Sequence, residues 1–318
     1  MLTYVLFILG FVFLIKGADF LVEGSASVAQ RLKISSIVIG LTIVAFGTSA
    51  PEFIVNVLAS ASGNTELAIG NIIGSNIANI LLILGVSSII YPLATKKNTV
   101  WKEIPFAFLG AVLLGVLAND ALLDGGTFSG LTRIDGIVLL SFFIIFLYYT
   151  FGISKATGEG SDVDIQEMSY PKAILFIFIG FVGLALGGTW IVDGAVAIAE
   201  LFNISQSLIG LTIVAIGTSL PELATSAIAA YKRQTDIAIG NVVGSSIFNI
   251  FWVLGFSACV RPLPFQSSSN IDILMVIFAS AILFFAMFFG KKHIIEKRDG
   301  ILMVVLYVGY IVYLIAKG

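Results

Sequence analysis

Two glutamates, Glu52 and Glu222, stand in the hexapeptides GTSAPE (47–52) and GTSLPE (217–222), each inside a long apolar run. On a helix, Glu52 shares a face with Thr48 and Ser49, and Glu222 shares one with Thr218 and Ser219. A lone ionised carboxylate in hydrocarbon is costly, and intramembrane acids usually mark an ion pathway. Oxygen donors without nitrogen or sulfur favour a hard cation, and two carboxylates with added carbonyls suit Ca2+. Pro51 and Pro221 lack an N–H and clash with the carbonyl four residues back. Breaks are therefore expected at Gly47 and Gly217, with carbonyls near Ala45–Thr48 and Ala215–Thr218 losing their helical partners. Broken backbone at membrane depth is tolerated where it lines a cavity or is buried in protein.

A second polar set follows each hexapeptide. Asn71, Ser75 and Asn79 fall at i, i+4 and i+8, a stripe on an otherwise apolar helix, and Asn241, Ser245 and Asn249 repeat it. Gly70 with Gly74, and Gly240 with Gly244, are small-xxx-small pairs that let helices approach closely. Such packing would bring the stripes against the glutamates. Ser, Thr and Asn in membranes also serve simply to join helices by hydrogen bonds, and for any one of these side chains both readings stand. A purely structural role fits the two glutamates poorly.

These residues need helices to carry them. The chain is 58% hydrophobic and 11% charged, with a mean hydropathy of +1.06. A soluble domain carries about 25% charged residues, so the sequence reads as an all-α integral membrane protein. Polar breaks divide it into ten candidate spans, at 2–30, 36–61, 67–92, 99–118, 130–151, 172–202, 206–231, 237–262, 270–289 and 299–316. The N-terminus lacks a basic n-region and reads as a retained first span. Thirteen of the seventeen basic residues fall in alternate loops, which by the positive-inside rule makes those loops cytoplasmic. Both termini are then extracellular, and the 152–171 linker is cytoplasmic.

The two hexapeptides are 170 residues apart, and the offset persists around them. GLTIVAFGTSAPE (40–52) matches GLTIVAIGTSLPE (210–222) at 11 of 13 positions, and AIGNIIGSNIANI (68–80) matches AIGNVVGSSIFNI (238–250) at 9 of 13. Gly10, Gly17 and Gly24 echo Gly180, Gly187 and Gly194. The repeating unit is the half-chain, giving a first repeat at 1–151, the linker at 152–171 and a second repeat at 172–318. Five spans is an odd number, so the second repeat enters the membrane from the opposite side. Inverted-topology repeats of this kind are typical of secondary transporters, with substrate near the midplane.

GTSAPE and GTSLPE, each followed by a G-N-x-x-G-S-x-x-x-N segment, resemble the two α-repeats of sodium/calcium exchangers in the calcium/cation antiporter superfamily. The resemblance covers essentially the whole chain. It implies that Glu52 and Glu222 are the central Ca2+ ligands, completed by the carbonyls of Thr48 and Thr218. It further implies that Ser49, Ser75, Asn79, Ser219, Ser245 and Asn249, with the carbonyls of Ala45 and Ala215, surround the Na+ positions. Some prokaryotic members and the potassium-dependent branch have aspartate where this chain has Asn249, a departure that argues against a K+ requirement. Proton-coupled relatives usually show G-N-x-x-E in place of G-T-S-x-P-E. With asparagine at 79 and 249 the pocket carries a formal −2 from its two glutamates. One Ca2+ balances that charge, whereas the family's three Na+ would leave it positive, making exchange electrogenic. The resemblance also assigns the first and sixth spans, with Gly10, Gly17, Gly180, Gly187 and Gly188, a sliding role in alternating access.

Other charges read as structural. Lys16 and Asp19 are placed for an i,i+3 ion pair, and Glu66 and Asp236 sit at helix starts, where an acid favours the dipole. Glu159, Asp162, Asp164 and Glu167 lack the spacing of an EF-hand loop and read as a solvated linker. His293 reads as part of a basic interfacial loop. One cysteine and one histidine exclude a disulfide framework or a His/Cys-rich metal site, and no nucleophile pair or phosphate loop suggests an enzyme. No cofactor, nucleic acid or obligate protein partner is implied: Ca2+, Na+ and the lipid bilayer are the expected partners. H+/Ca2+ or K+-dependent exchange, a cation channel and a Ca2+ sensor are the alternatives to Na+/Ca2+ antiport across the cell membrane.

Overall fold

A computed structural model describes residues 2–125, 128–154, 168–202, 215–289 and 291–317. Within them, seven helices are long and apolar enough to cross a membrane, and an eighth span forms if the bent pair Ser36–Thr48 and Ala50–Ser62 is counted as one. The remaining expected spans are the shorter helix Asn270–Ala286 and the segment that ends in the turn Ala215–Thr218 and the helix Leu220–Tyr231. Residues 206–214 of that last span lie outside the described residues, as do 155–167 of the linker with its four acids.

The proline-marked bend is present, at 47°. Ser49 sits there at φ −84°, ψ 6°, and Ser219 occupies nearly the same conformation at φ −89°, ψ 4°. The loss of backbone partners is narrower than proline alone suggests. Ala45 O still accepts from Ser49 N–H at 3.0 Å, and it also accepts the Thr48 hydroxyl at 3.3 Å. In the second half Ser219 N–H donates to Ile216 O at 3.1 Å, one residue closer in sequence.

Glycine at the bends has a steric reason as well. A Cβ at Gly47 would fall 1.8 Å from the Phe181 ring, and one at Gly217 would fall 2.2 Å from Val192. Both obstacles lie on the helix Tyr170–Leu201, which crosses near each bend. That helix also packs backbone to backbone against Leu2–Leu32. A Cβ at Gly10 would meet Gly187 O at 3.0 Å, one at Gly17 would meet Gly180 O at 2.9 Å, and one at Gly24 would meet Ala173 O at 2.7 Å. The expected glycine face is thus an antiparallel helix contact. Gly240 and Gly244 likewise press on Ile37, Gly40 and Leu41.

The segments carrying the polar stripes lie at the centre: the apolar stretches of Thr65–Ile90 and Thr235–Val260 are 78% and 94% buried, against 17% for Lys297–Ala316. Each contains a π-helical stretch, Ala78–Ile83 and Phe248–Leu254, and a third runs over Gly40–Val44. Such wide turns are rare and occur frequently at functional sites.

Loops that the basic-residue pattern assigns to one side do meet. Leu93–Ala94 pairs with Ile294–Ile295, Arg233 lies over the Tyr91 ring at 5.5 Å, and Arg31 donates to Met168 O. At the other end Gly130–Leu131 pairs with Leu263–Pro264, Gln266 bonds Glu66, and Asn119 and Asn270 exchange bonds at 2.8 and 2.9 Å. Lys16 and Asp19 form the expected i,i+3 pair at 3.8 Å. Asp19 also pairs with Lys232, which reaches Glu23 at 2.6 Å, an interhelical cluster that local spacing does not reveal.

Candidate cation-binding site

Glu52 and Glu222 each occupy the first turn of the helix after their bend, and each is 1% exposed. No lysine or arginine pairs with either among the described residues. An acid at the centre of an isolated membrane helix costs roughly 3 kcal/mol, so polar contacts must offset that burial. The two halves supply them to each other. Ser49 Oγ donates to Glu222 Oε1 at 2.9 Å, and Ser219 Oγ donates to Glu52 Oε1 at 3.5 Å. The second carboxylate oxygen of each glutamate is buried without a hydrogen-bond partner.

The reciprocity extends outward. Thr48 donates to Asn241 Oδ1 at 3.0 Å, and Thr218 donates to Asn71 Oδ1 at 3.5 Å. Ser245 Oγ reaches Glu222 Oε1 at 3.5 Å and contacts Thr48 Oγ1 at 3.5 Å, while Ser219 Oγ reaches Ser75 Oγ at 3.3 Å. Each of these contacts except that of Ser245 with Glu222 joins one repeat to the other. Of the twelve residues singled out in the sequence, eight side chains fall into two hydrogen-bonded groups that each join both repeats, Thr48, Ser49, Glu222 and Ser245 in one and Glu52, Ser75, Thr218 and Ser219 in the other.

Asn79 and Asn249 follow a different pattern. Both are buried, and both sit at the second position of a π-helical stretch. Neither amide atom of Asn79 has a partner, and Asn249 Nδ2 donates to Asn76 Oδ1 at 3.3 Å. Ala45 is fully buried with its carbonyl engaged as above. Ala215 opens the turn Ala215–Thr218.

Sequence reasoning missed an outer tier. Asn56, one turn beyond Glu52, accepts from Asn71 Nδ2 at 2.7 Å and donates to Ala68 O at 2.9 Å. Its repeat counterpart Ser226 accepts from Asn241 Nδ2 at 2.9 Å and reaches Ala238 O at 3.5 Å. The signal was available, since Glu52 to Asn56 is an i,i+4 step and Glu222 to Ser226 repeats it. Asn76 was hidden because it lies one residue off the stripe.

Two buried carboxylates without cationic partners, surrounded by hydroxyl and amide oxygens, can hold hard cations. No cluster of three His, Cys, Asp or Glu side chains occurs among the described residues.

The family model described as sodium/calcium exchanger protein matches residues 2–152 and 172–316. Sodium/calcium exchanger MaX1 of Methanosarcina acetivorans is 31% identical, with 98% of each chain covered. Inner membrane protein YrbG of Escherichia coli is 36% identical, over 82% of this chain and 81% of its own. The solved structure of the sodium-calcium exchanger NCX_Mj, soaked with Na+ and Ca2+, superimposes with a TM-score of 0.84 at 35% identity and 98% coverage of both chains. The chain belongs to the sodium/calcium exchanger protein family, a family of multi-pass cation/Ca2+ antiporters.

Proposed function

We propose that this protein exchanges Na+ for Ca2+ across the cell membrane by alternating access, with ions bound near the midplane between two inverted repeats of five spans. The first repeat is 1–151 and the second 172–318, with the 152–171 linker cytoplasmic and both termini extracellular. The observation that carries the reading is the reciprocal pair, Ser49 to Glu222 and Ser219 to Glu52. It makes one pocket from both repeats, at the place where each helix bends.

In that pocket Glu52 and Glu222 bind Ca2+ with the carbonyls of Thr48 and Thr218. Ser49, Ser75, Asn79, Ser219, Ser245 and Asn249, with the carbonyls of Ala45 and Ala215, serve Na+. An ion on Ala45 O takes the place of the Thr48 hydroxyl now bonded there. Shared ligands make Ca2+ and Na+ occupancy mutually exclusive, which couples the fluxes. A formal −2 is neutralised by one Ca2+ and overshot by three Na+, so the Na+-loaded form carries the net charge. MaX1 and NCX_Mj, both named sodium/calcium exchangers, support the choice of ions.

The test is radioactive Ca2+ uptake into K+-free liposomes loaded with Na+ and diluted into Na+-free buffer. Uptake should require the outward Na+ gradient and quicken under an inside-positive potential, because three Na+ leaving for one Ca2+ entering exports positive charge. Uptake driven only by a pH gradient would assign the chain to proton coupling. Gradient-independent uptake would make it a channel.

A further inference from the structure

Away from the central pair, the described residues include another buried carboxylate whose two oxygens differ in their surroundings. Glu103 opens the helix Glu103–Leu117 and is only 5% exposed. Its Oε1 accepts a hydrogen bond from Tyr149 OH at 3.0 Å. Its Oε2 is buried with no partner. Beside it lies a cavity of about 20 Å³ whose polar lining is Ser35, Lys96, Asn98, Thr99, Glu103 and Thr150. That is room for one water molecule or one ion of similar size.

The polar lining is incomplete in the same way as the carboxylate. Ser35 Oγ and Thr150 Oγ1 are both buried without a partner, and Thr99 lines the same cavity. Leaving a buried acceptor unsatisfied is unfavourable, and three unsatisfied oxygens around one small cavity share one solution. Neither neighbouring lysine lies within ion-pair distance of Glu103. Lys102 has its ammonium over the Tyr149 ring, 5.4 Å from the centroid. Lys96 lines the cavity wall.

We propose that this cavity is a binding site for a single monovalent cation of sodium size, built by Glu103 with Ser35, Thr99 and Thr150 and separate from the Glu52–Glu222 pocket. One carboxylate neutralises one monovalent charge. A divalent ion would leave a net positive charge beside two lysines, and Ca2+ demands six to eight oxygens, more than these four side chains supply. The site belongs to one repeat alone: 170 residues on, Glu103 is replaced by the buried Ile273. It therefore takes no part in the duplicated pocket. A bound ion ties Ser35 and the start of Ser36–Thr48, the segment leading to the first bend, to the helices that carry Glu103 and Thr150.

The test is equilibrium binding of radioactive Na+ to the purified full chain, counted per chain in the wild type and in the Glu52→Gln/Glu222→Gln background. Adding Glu103→Gln should remove one bound Na+ in each background. Because the drop is read in both, it does not depend on whether the central pair binds Na+. An unchanged count in both would overturn the proposal and leave the cavity to water. If thermal unfolding shows that Glu103→Gln does not fold, Thr150→Val carries the same test. A severalfold weaker class of Na+ binding supports the site, and an unaltered isotherm refutes it.

Discussion

The two halves of the molecule are alike where the candidate ligands sit and unlike one layer out. Thr48, Ser49, Glu52, Asn71, Ser75 and Asn79 have identical counterparts at 218, 219, 222, 241, 245 and 249. In the next layer Asn56 corresponds to Ser226 and Asn76 to Ser246, and Phe181 and Val192 are the unrelated side chains that cover the two bends. Further out the likeness ends, with Lys16, Asp19 and Glu103 matched by Leu186, Thr189 and Ile273. A pocket assembled reciprocally demands the same donors from both halves, because each half completes the other's carboxylate. The supports beneath need only hold those donors, and packing can do so in more than one way.

The largest effects should be symmetric. Glu52→Gln and Glu222→Gln should each abolish Ca2+ uptake, since loss of a charged ligand worth about 3 kcal/mol weakens Ca2+ binding on the order of 100-fold. A variant that retained half of wild-type transport would break the equivalence of the halves.

The coverings of the bends sharpen the comparison next. Gly47→Ala should cost about 1–3 kcal/mol by overpacking, because its Cβ would lie 1.8 Å from the Phe181 ring. Gly217→Ala should do the same against Val192, at 2.2 Å. Thermal unfolding of the full chain reads both, and Phe181→Ala should rescue Gly47→Ala but not Gly217→Ala. Rescue of neither would mean that each glycine is needed for the bend itself.

The outer tier should show graded asymmetry. Asn56→Ala removes bonds of 2.7 and 2.9 Å, and Ser226→Ala removes one of 2.9 Å and a weaker one of 3.5 Å. At about 1 kcal/mol per good hydrogen bond, the first should cost roughly twice the second in stability. Equal losses would mean that Ser226 does the full work of Asn56.

The smallest effect should come from the Lys232 cluster. Burial pulls the Lys232 ammonium down, but the bonds and charges of Asp19 and Glu23 outweigh it and hold the group above the ordinary lysine value. A raised folded-state value means the contribution is fully present below the unfolded lysine range and fades only as pH rises through the folded value. Neutral-pH stability should therefore be flat with respect to this group. The partners are 25–41% exposed, so Lys232→Met should cost no more than about 1 kcal/mol in a chemical-unfolding series and less at high salt.

Much of this was legible in the sequence because duplication doubled the signal. A polar residue in an apolar span carries little meaning once, but Glu52 and Glu222 at one offset, each beside a proline, carry a great deal. The positive residues likewise sorted the loops into groups that the short β-ladders bring together. What was not legible depends on contacts between distant segments. Proline and glycine suggested only a break, whereas the Phe181 and Val192 contacts show a second demand on glycine. The π-helical stretches at Asn79 and Asn249 have no local sequence signature, and the residues that flank them keep α-helical dihedrals. Ala45 keeps its partner because Ser49, not Pro51, stands four residues on.

The account rests on one pocket built from both halves, and direct binding tests it most closely. Radioactive Ca2+ binding to the purified chain would be titrated against rising Na+ in the wild type, Glu52→Gln and Glu222→Gln. The account predicts that Na+ displaces Ca2+ from the wild type and that either single substitution removes the Ca2+ site. Undiminished Ca2+ binding by either single variant would contradict it, because the two glutamates would then not share an ion.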